Sequence, residues 1–564
     1  MKKGSGIAPG ALFLFLCSLL IPGLFMTTLA MAEENNPHAV TTFECLGLYY
    51  KVDSPDLGDC QVKYRKTGTK DWKNVIPLWF DKRDNEYRGS IVGLTPDTEY
   101  EIVLYCGGKD TSFKARTRSD KFPVGKTTYL KPGVTYQVIR ITEPGTPEAW
   151  HLVAPEPGAK TVIDPEKTAD NNIVIEASYV IVRGLELRNA VKDAILIKEG
   201  VHDVVIEDCR ITLWGRGDRE LAYGGYEDSG VAAEEGTERL VIQRNLMDNP
   251  SGWTNDWETG HPSGPQGITL WNSRGGNIIR YNEIVSTEDH GFNDGIGGGE
   301  NYSFAGSPNR DSDTYGNIIA NVWDDAIESE GANMNVRIWG NYLHHTYTHI
   351  ATAVTSKGPL YIFRNVFGLS RWTHDNPIGG PMIKMGEREP FKGGRRYVFH
   401  NTALQPRGAF RVFSSHPATN VFSRNNIFDC PGPLTGIRIP DPPADLDYDL
   451  FTGLESKSDY EKHAIRSRPS YVPSQGLEFY LAPTTTMIKW GRTPVEHYGR
   501  KWEITDKVIT INNPAIDAGV LIPGFNDDFK GKGPDLGAFE RENSPLKFGR
   551  HAQEPVIYAP WEVQ

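Results

Sequence analysis

The chain has 564 residues and a formal net charge of -12, from 60 Lys and Arg against 72 Asp and Glu. This balance argues against a nucleic-acid-binding protein, because such proteins usually carry a strongly basic surface. The length exceeds that of one ordinary domain, and 58 glycines favour a turn-rich β-protein over a helical one.

The first residues have the pattern of an export signal. Two lysines near the start precede an apolar run from Ala11 to Phe25, and the small residues Ala30 and Ala32 follow. Signal peptidases cut after such small residues. A membrane anchor is the alternative, but the run is short and Pro22 interrupts it. The sequence predicts a signal peptide over 1–32 and a product that is secreted to the periplasm or beyond, without membrane insertion.

The cysteines fit an exported chain. Such a chain can form disulfides, and the odd number left after residue 32 leaves at least one thiol unpaired. The first three of them lie close in sequence, so we expect one pair among them. The five are Cys45, Cys60, Cys106, Cys209 and Cys430.

Residues 38–119 are predicted to form short alternating strands separated by turn clusters. Within them, the segment Leu94-Thr95-Pro96-Asp97-Thr98-Glu99-Tyr100 resembles the tyrosine corner of fibronectin type III domains. In that motif a Tyr hydroxyl bonds back to the main chain and closes a turn between two strands. The resemblance implies a small β-sandwich that acts as an accessory module.

Residues 120–440 contain a recurring phrase of apolar residues that closes on Asn or a substitute. Separations of about 20 to 25 residues match one turn of a parallel β-helix, and longer ones a turn with an inserted loop. Asn at a fixed corner tolerates a left-handed backbone and can bond to its copy in the next turn. The closing positions are 185, 208, 245, 282, 321, 341, 365, 401 and 426.

The repeat resembles the right-handed β-helix of secreted bacterial proteins such as pectate lyases, polygalacturonases and uronate epimerases. Residues 127–136 look like the opening segment of these proteins, and 516–519 with 533–540 look like their closing segment. The resemblance implies an all-β chain, a right-handed parallel β-helix preceded by the fibronectin III-like sandwich. It also implies that 441–564 form an extension that packs on or caps the β-helix, and that the protein acts on carbohydrate.

An acidic strand is the strongest candidate for chemistry. Stacked turns lie about 4.8 Å apart, so outward carboxylates on neighbouring turns approach the separations that glycosidases use. If Ile327 faces the core, alternation turns Asp324, Glu328 and Glu330 outward. It turns Asp325 inward, unless the strand begins after that residue. A solvated acidic edge or a calcium patch is the alternative.

Neighbouring turns add further candidates. The order Asn293-Asp294, Asp324-Asp325, a histidine cluster and Ile383-Lys384 resembles the polygalacturonase pattern, although Met382 stands where that family has Arg. By this resemblance Asp294, Asp324 and Asp325 supply the acid and the base, and Lys384 holds a sugar carboxylate. The predicted catalytic residues are Asp294, Asp324, Asp325, Glu328, His349 and Lys384. The predicted substrate-binding residues are Glu330, His345, Arg388, Arg411, Trp253 and Trp257.

These features leave three functions open. The first is a glycoside hydrolase with paired carboxylates that acts on a polysaccharide, and an acidic glycan would suit the basic side chains. The second is a polysaccharide lyase or uronate epimerase, with Lys384 or His349 as base. The third is a carbohydrate-binding protein without catalysis. We expect a monomer with no cofactor. Calcium is the alternative to this expectation. The spacing Asn309-x-Asp311-x-Asp313 is a weak candidate for a calcium site, because it lacks the distal Glu of an EF-hand.

Overall fold

The computed structural model describes residues 36–562, except 54–57, 218–225, 258, 288–289, 369, 372–379, 405–407, 413–417, 430–443, 453–459, 468, 470, 474–506, 510–513 and 545. The predicted signal peptide and Cys430 lie outside these residues. The described part of the chain is all-β, as predicted. None of it forms a helix with the length and hydropathy that crossing a membrane requires.

The N-terminal unit is an antiparallel β-sandwich. Its strands pair in the order β1-β2-β5-β4-β3-β6-β7, and β4 pairs with both β5 and β3 so that it joins the two layers. The strands are β1 (His38–Thr41), β2 (Leu46–Lys51), β3 (Cys60–Lys66), β4 (Lys73–Asp81), β5 (Glu86–Ile91), β6 (Glu99–Cys106) and β7 (Lys109–Arg116).

Two sequence predictions fall on this sandwich. The backbone N–H of Thr95 donates to the Tyr100 hydroxyl at 2.9 Å, which is the hydrogen bond expected of a tyrosine corner. Cys60 and Cys106 form a disulfide between β3 and β6, while Cys45 and Cys209 are buried free thiols. One pair among the first three cysteines is therefore present.

The rest of the fold is a right-handed parallel β-helix whose turns supply strands to three stacks. Sheet I contains β8 (Val124–Leu130), β11 (Trp150–Pro155), β14 (Val180–Arg183), β17 (Val204–Glu207), β20 (Val241–Gln243), β23 (Ile278–Arg280), β27 (Asp313–Tyr315), β30 (Val336–Trp339), β32 (Leu360–Phe363), β35 (Arg396–Phe399), β38 (Val421–Arg424) and β40 (Ala444–Leu446).

Sheet II is the second stack, and its strands follow those of sheet I along the chain. It contains β9 (Gly133–Thr135), β12 (Thr161–Ile163), β15 (Glu186–Arg188), β18 (Arg210–Thr212), β21 (Leu246–Asp248), β24 (Glu283–Ile284), β33 (Val366–Phe367), β36 (Thr402–Ala403), β39 (Ile427–Phe428), β41 (Leu450–Phe451) and β42 (Ile465–Arg466).

Sheet III contains β10 (Ile139–Ile141), β13 (Ile173–Ile175), β16 (Ile195–Ile197), β19 (Ser229–Ala233), β22 (Gln266–Leu270), β25 (Ile296–Gly297), β34 (Ile383–Met385) and β37 (Phe410–Val412). Two long strands, β28 (Ile318–Glu328) and β31 (Tyr342–Thr352), run around the corner and belong to both sheet II and sheet III. Short antiparallel pairs join β26 (Gly306–Ser307) to β29 (Glu330–Gly331) and β43 (Tyr471–Pro473) to β44 (Lys507–Ile509).

A buried asparagine ladder joins the turns between sheets I and II. In each step the amide oxygen of one Asn accepts from the backbone N–H and the side chain of the preceding Asn, as at Asn341 and Asn317 (3.0 and 2.9 Å). The ladder comprises Asn245, Asn282, Asn317, Asn341, Asn365, Asn401 and Asn426, and Asp449 takes the next position.

The structure corrects the predicted repeat in two respects. The ladder uses Asn317 where the sequence suggested 321, and Cys209 occupies the position assigned to 208. The left-handed backbone lies one residue before the ladder position, for example at Arg244 (φ 54°) and Tyr281 (φ 56°). The ladder amides are therefore needed for hydrogen bonding, while their predecessors turn the chain.

The sandwich packs against sheet I. The Tyr49 hydroxyl donates to Asp311 at 2.8 Å, Thr42 bonds to Asp313, and Asp313 also pairs with the buried Arg337 at 2.5 Å. The acids of the weak calcium motif at 309–313 are thus engaged at the interface between the two domains.

The parallel stacks continue beyond the predicted boundary at 440, because β40, β41 and β42 extend sheets I and II. Residues 514–562 then run back along the flank of the β-helix. Phe539 and Phe548 pack there against Ile318 and Tyr342, and the Trp561 indole donates to the carbonyl of Asp208 at 2.8 Å.

Candidate active site

The candidate site lies on the outer face of sheet III. Hydrogen-bonded register places Glu328, Ala351, Lys384 and Arg411 side by side on β28, β31, β34 and β37. Neighbouring strands are about 4.8 Å apart, so these positions form an outward row. Ile327, Ile350 and Ile383 form the matching inward row in the core.

An irregularity in β28 changes the direction of Asp325. Val322 and Ile327 both face the core although five positions separate them, so simple alternation cannot hold between them. The register with β31 shifts between Val322 and Asp325, where the strand rounds the corner from sheet II to sheet III. The prediction that Asp325 faces inward was therefore wrong, and its carboxylate lies with the outward acids.

Lys384 is the centre of the cluster. Its Nζ lies 2.6 Å from Oδ2 of Asp325 and 3.4 Å from Oε1 of Glu330, and 19% of the side chain is exposed. Burial alone would lower the pKa of Lys384, but the nearby carboxylates, led by Asp325 and Glu330, raise it well above the ordinary value. In the absence of other cations the amine is held in its charged form.

Asp294 and Asp324 extend the acidic cluster. Asp294 accepts hydrogen bonds from Gln266, Asn293 and the backbone N–H of Asp325, at 3.2, 2.8 and 3.0 Å. Burial raises the pKa of Asp294, and Glu328 raises it further. Burial and the charge of Asp325 raise the pKa of Asp324 in the same way.

Glu330 and Glu328 differ in burial and in their hydrogen-bond partners. Glu330 is buried and accepts from the backbone N–H of Ala353 at 3.1 Å, and burial raises its pKa to about 8. Glu328 is partly exposed and accepts from Asn301 at 3.1 Å and from the backbone of Gly298 at 3.4 Å. Burial raises the pKa of Glu328 too, with a further contribution from Asp325.

A cavity of about 440 Å³ opens at this cluster, in a groove on the outer face of sheet III, and is called the groove cavity below. One wall is aromatic, because the Trp257 ring stacks on Tyr347 with centroids 5.3 Å apart. His261 packs on Trp257, and its Nε2 lies 3.5 Å from Oδ2 of Asp324. Asp324, Glu330, Lys384 and Arg411 also line the cavity, so a polymer in it would meet acids, bases and ring faces together.

The remaining predicted residues lie elsewhere. His345 and His349 are buried, and burial lowers the pKa of each to about 3. The His349 ring packs on Phe367 in the core, away from the cavity lining. Trp253 is half-buried and does not line the cavity. Arg388 is exposed, with its guanidinium over the ring of Tyr302 at the cavity wall (5.3 Å).

Sequence reasoning missed His261, Asn301, Tyr302 and Tyr347 as cavity residues. The first three lie on inserted loops, whose path over the groove has no periodic signal. Tyr347 lies on β31 just where the strand rounds the corner, so alternation could not fix its direction. The one sequence feature that pointed to Tyr347 as a cavity residue was its position between the predicted site residues His345 and His349.

The carboxylates also form candidate cation ligands. Two overlapping groups, Asp294-Asp324-Asp325 and Asp325-Glu328-Glu330, each offer three oxygens within 4.8 Å of one another. Oδ1 of the buried Asp325 has no hydrogen-bond donor among the described residues. A set made only of carboxylate oxygens suits a hard cation such as Ca²⁺.

Comparisons with known proteins give matches among solved structures but none among family models or curated proteins. Among solved structures, the chain is similar to the pectate lyase Pel9A (15% identity, 76% of this chain and 92% of that one, TM-score 0.41). A PL6 family polysaccharide lyase from Pseudopedobacter saltans matches at 13% identity (64% and 85%, TM-score 0.41). The catalytic domain of an alpha-1,3-glucanase matches at 10% (77% and 92%, TM-score 0.27). At these values the likenesses carry no argument about the reaction.

Proposed function

We propose that the protein is a polysaccharide-degrading enzyme that cleaves uronate-containing chains by β-elimination, with Lys384 as the base. The observation that carries this proposal is the position of the Lys384 amine, which lies in the groove cavity among carboxylates and is partly open to solvent. The paired-carboxylate hydrolase predicted first from the sequence becomes the second candidate.

Elimination needs a base beside the carbon that carries the uronate carboxylate. Lys384 Nζ takes the proton from that carbon, a carbon–carbon double bond forms, and the bond from the adjacent carbon to the leaving sugar oxygen breaks. The leaving oxygen takes up a proton from water. A lysine amine can act in this way only when it is neutral, so the negative charge around it must first be offset.

The acidic cluster has the residues for such an offset. Asp294, Asp324, Asp325 and Glu328 are the side chains that would hold a calcium ion. A bound divalent cation neutralises the substrate carboxylate and acidifies the neighbouring C–H bond. Neutralisation of the surrounding acids lowers the pKa of Lys384 toward the range in which the amine accepts a proton.

Other cavity residues would hold the polymer. The stacked pair Trp257 and Tyr347 offers ring faces on which sugar rings can pack. Arg411 lies one strand beyond Lys384 and would pair with the carboxylate of the next uronate. Arg388 at the cavity edge adds a second cation on the same side.

A glycoside hydrolase is the second candidate, and the state of Glu330 favours it. Burial raises the pKa of Glu330 to about 8, which suits a general acid, and Asp324 lines the same cavity. In that case Glu330→Gln abolishes turnover, and the products carry new reducing ends without unsaturation.

The test uses pectin, polygalacturonate and alginate with the full chain. We expect ultraviolet-absorbing unsaturated products, dependence on Ca²⁺ and loss of activity on chelation. Lys384→Arg keeps the positive charge but removes the base, so turnover should fall by about 10²–10⁴-fold while the Tm stays unchanged. Lys357→Arg is the matched control, because Lys357 is also a partly buried lysine paired with an acid (Asp84, 2.9 Å) and lies outside the groove.

Three results would contradict the proposal. Reducing sugar without unsaturation would favour the hydrolase. Tight glycan binding without product would favour a binding protein. Full activity in Lys384→Arg would remove Lys384 from the mechanism, whatever the product.

We also propose that the chain is exported and that the sandwich is a fibronectin type III-like accessory domain. The N-terminal sequence pattern supports export, and the Tyr100–Thr95 hydrogen bond supports the domain type. Export is tested by the molecular mass of the protein recovered outside the cytoplasm. Cleavage after Ala32 predicts the mass of a mature chain that begins at Glu33. Retention of the whole chain inside the cell would contradict it.

A further inference from the structure

A second cavity lies on sheet I, whereas the groove lies on sheet III. Its volume is about 550 Å³, larger than that of the groove cavity. The segment that links the sandwich to the β-helix (120–122) forms one wall, and the C-terminal segment (553–557) forms another. Three distant parts of the chain therefore enclose it.

The floor is a row of polar side chains in register on four consecutive strands. Arg183, Glu207, Gln243 and Arg280 are the last residues of β14, β17, β20 and β23. Hydrogen bonds of 2.6, 2.5 and 2.7 Å join each to the next. At about 4.8 Å per strand the row is about 14 Å long. Its side chains are fixed before any ligand arrives.

The charges of this cavity differ from those of the groove. Four basic and four acidic residues line it among the described part of the chain, so its formal charge is zero. Glu207 and Asp208 are already paired with Arg244 at 2.8 and 2.7 Å. An anionic or cationic ligand gains no net attraction here, whereas a hydroxyl-rich ligand can accept from the basic groups and donate to the acidic ones.

Hydrogen-bond donors remain at both ends of the row. Arg183 uses its Nε for Glu207, and 41% of the side chain is exposed. Nη2 of the buried Arg280 lies 4.0 Å from Asp120, too far for a hydrogen bond. Phe122 and Ile557 add apolar surface to the walls. A polar floor with an aromatic wall is the arrangement that binds the polar edge and the apolar face of a sugar ring.

We propose that this cavity binds an uncharged oligosaccharide of about two or three sugar units, a size that fits small-ligand cavities of this volume. The site is separate from the groove and needs neither Lys384 nor a cation. Its ligand differs in charge from the uronate polymer proposed as substrate, so the inference does not rest on the proposed reaction.

The test is binding of neutral trisaccharides (cellotriose, xylotriose, mannotriose and maltotriose) and of trigalacturonate to the full chain. Saturation-transfer NMR detects weak binding, and calorimetry gives Kd. We expect at least one neutral sugar to bind with little dependence on salt. Arg183→Gln should weaken it by about tenfold or more, because a hydrogen bond from a charged donor is lost.

Arg188→Gln is the matched control. Arg188 is also a half-exposed arginine paired with an acid (Asp164, 2.7 Å), but it lies on sheet II outside the cavity. A second variant, Ile557→Glu, adds charge at an exposed position of the rim and should also weaken binding without disturbing the core. Thermal unfolding checks that each variant folds.

The proposal is overturned if no neutral sugar binds, or if both cavity variants bind as tightly as Arg188→Gln. It is also overturned if trigalacturonate binding, rather than neutral-sugar binding, is the one that responds to Arg183→Gln. Turnover of uronate polymers is measured separately in wild-type protein, so failure of one proposal is distinguishable from failure of the other.

Discussion

Removal of one amide from the asparagine ladder tests the idea that the ladder stabilises the β-helix. Asn341 is fully buried, and its side chain makes four hydrogen bonds. Its oxygen accepts from the backbone and side chain of Asn317, and its nitrogen donates to the carbonyl of Thr314 and to Asn365, all at 2.9–3.0 Å. Asn341→Ala removes all four of these buried hydrogen bonds.

The expected loss of unfolding free energy follows from the number of hydrogen bonds removed. At about 1 kcal/mol per net hydrogen bond, Asn341→Ala should lower the free energy of unfolding by about 4 kcal/mol. Asn171→Ala is the control, because the Asn171 side chain makes one such bond, to the carbonyl of Asp193 at 2.9 Å, and should cost about 1 kcal/mol.

Urea unfolding followed by fluorescence measures both losses. Because a solenoid can open turn by turn, hydrogen exchange should be read as well. We expect faster exchange at the amide of Asn317, which loses its acceptor. Equal stability losses in the two variants, with unchanged exchange at Asn317, would refute the reasoning.

Three further predictions concern the end of the ladder and the groove. Burial and the nearby Asp449 raise the pKa of Glu461 to about 10, so the contribution of Glu461 to stability should be complete below about pH 4.5 and be lost as pH rises to about 10. Asp449→Asn should flatten this dependence in Tm measurements at several pH values, and an unchanged slope would contradict it. Calcium at 100 times its Kd should stabilise the protein by about 2.7 kcal/mol, seen by calorimetry, and Asp325→Asn should lose most of this gain. Trp257→Ala should raise KM more than it lowers kcat, because its ring contacts Tyr347 and not the Lys384 amine. A fall in kcat alone would place Trp257 in the chemical step.

The sequence predicted the fold well because its signal is repeated. Successive turns bury the same apolar phrase, and seven of them end on the same amide, so the β-helix could be inferred from spacing. The error at 321 has a simple origin, since the phrase Asn317-Ile318-Ile319-Ala320-Asn321 has Asn at both ends. The spacing of 24 residues from Asn317 to Asn341 would have favoured the correct residue.

The site was predicted less completely. The acidic strand and Lys384 come together as expected, because the strands that carry them are neighbours in the stack of sheet III. The direction of the Asp325 side chain depends on a register shift where β28 rounds the corner, and strand alternation does not predict such a shift. His261 reaches Asp324 from an inserted loop more than sixty residues earlier in the chain, and its position is set by tertiary packing alone.

Turn length in this protein is decoupled from turn geometry. Neighbouring ladder residues are 23 to 37 positions apart in sequence, yet their side-chain contacts stay within 2.9–3.1 Å. Extra residues bulge outward as loops and leave the stacked strands where they are. Loops at the rim of the cavity on sheet III can therefore change in length and sequence while the acidic floor keeps its shape.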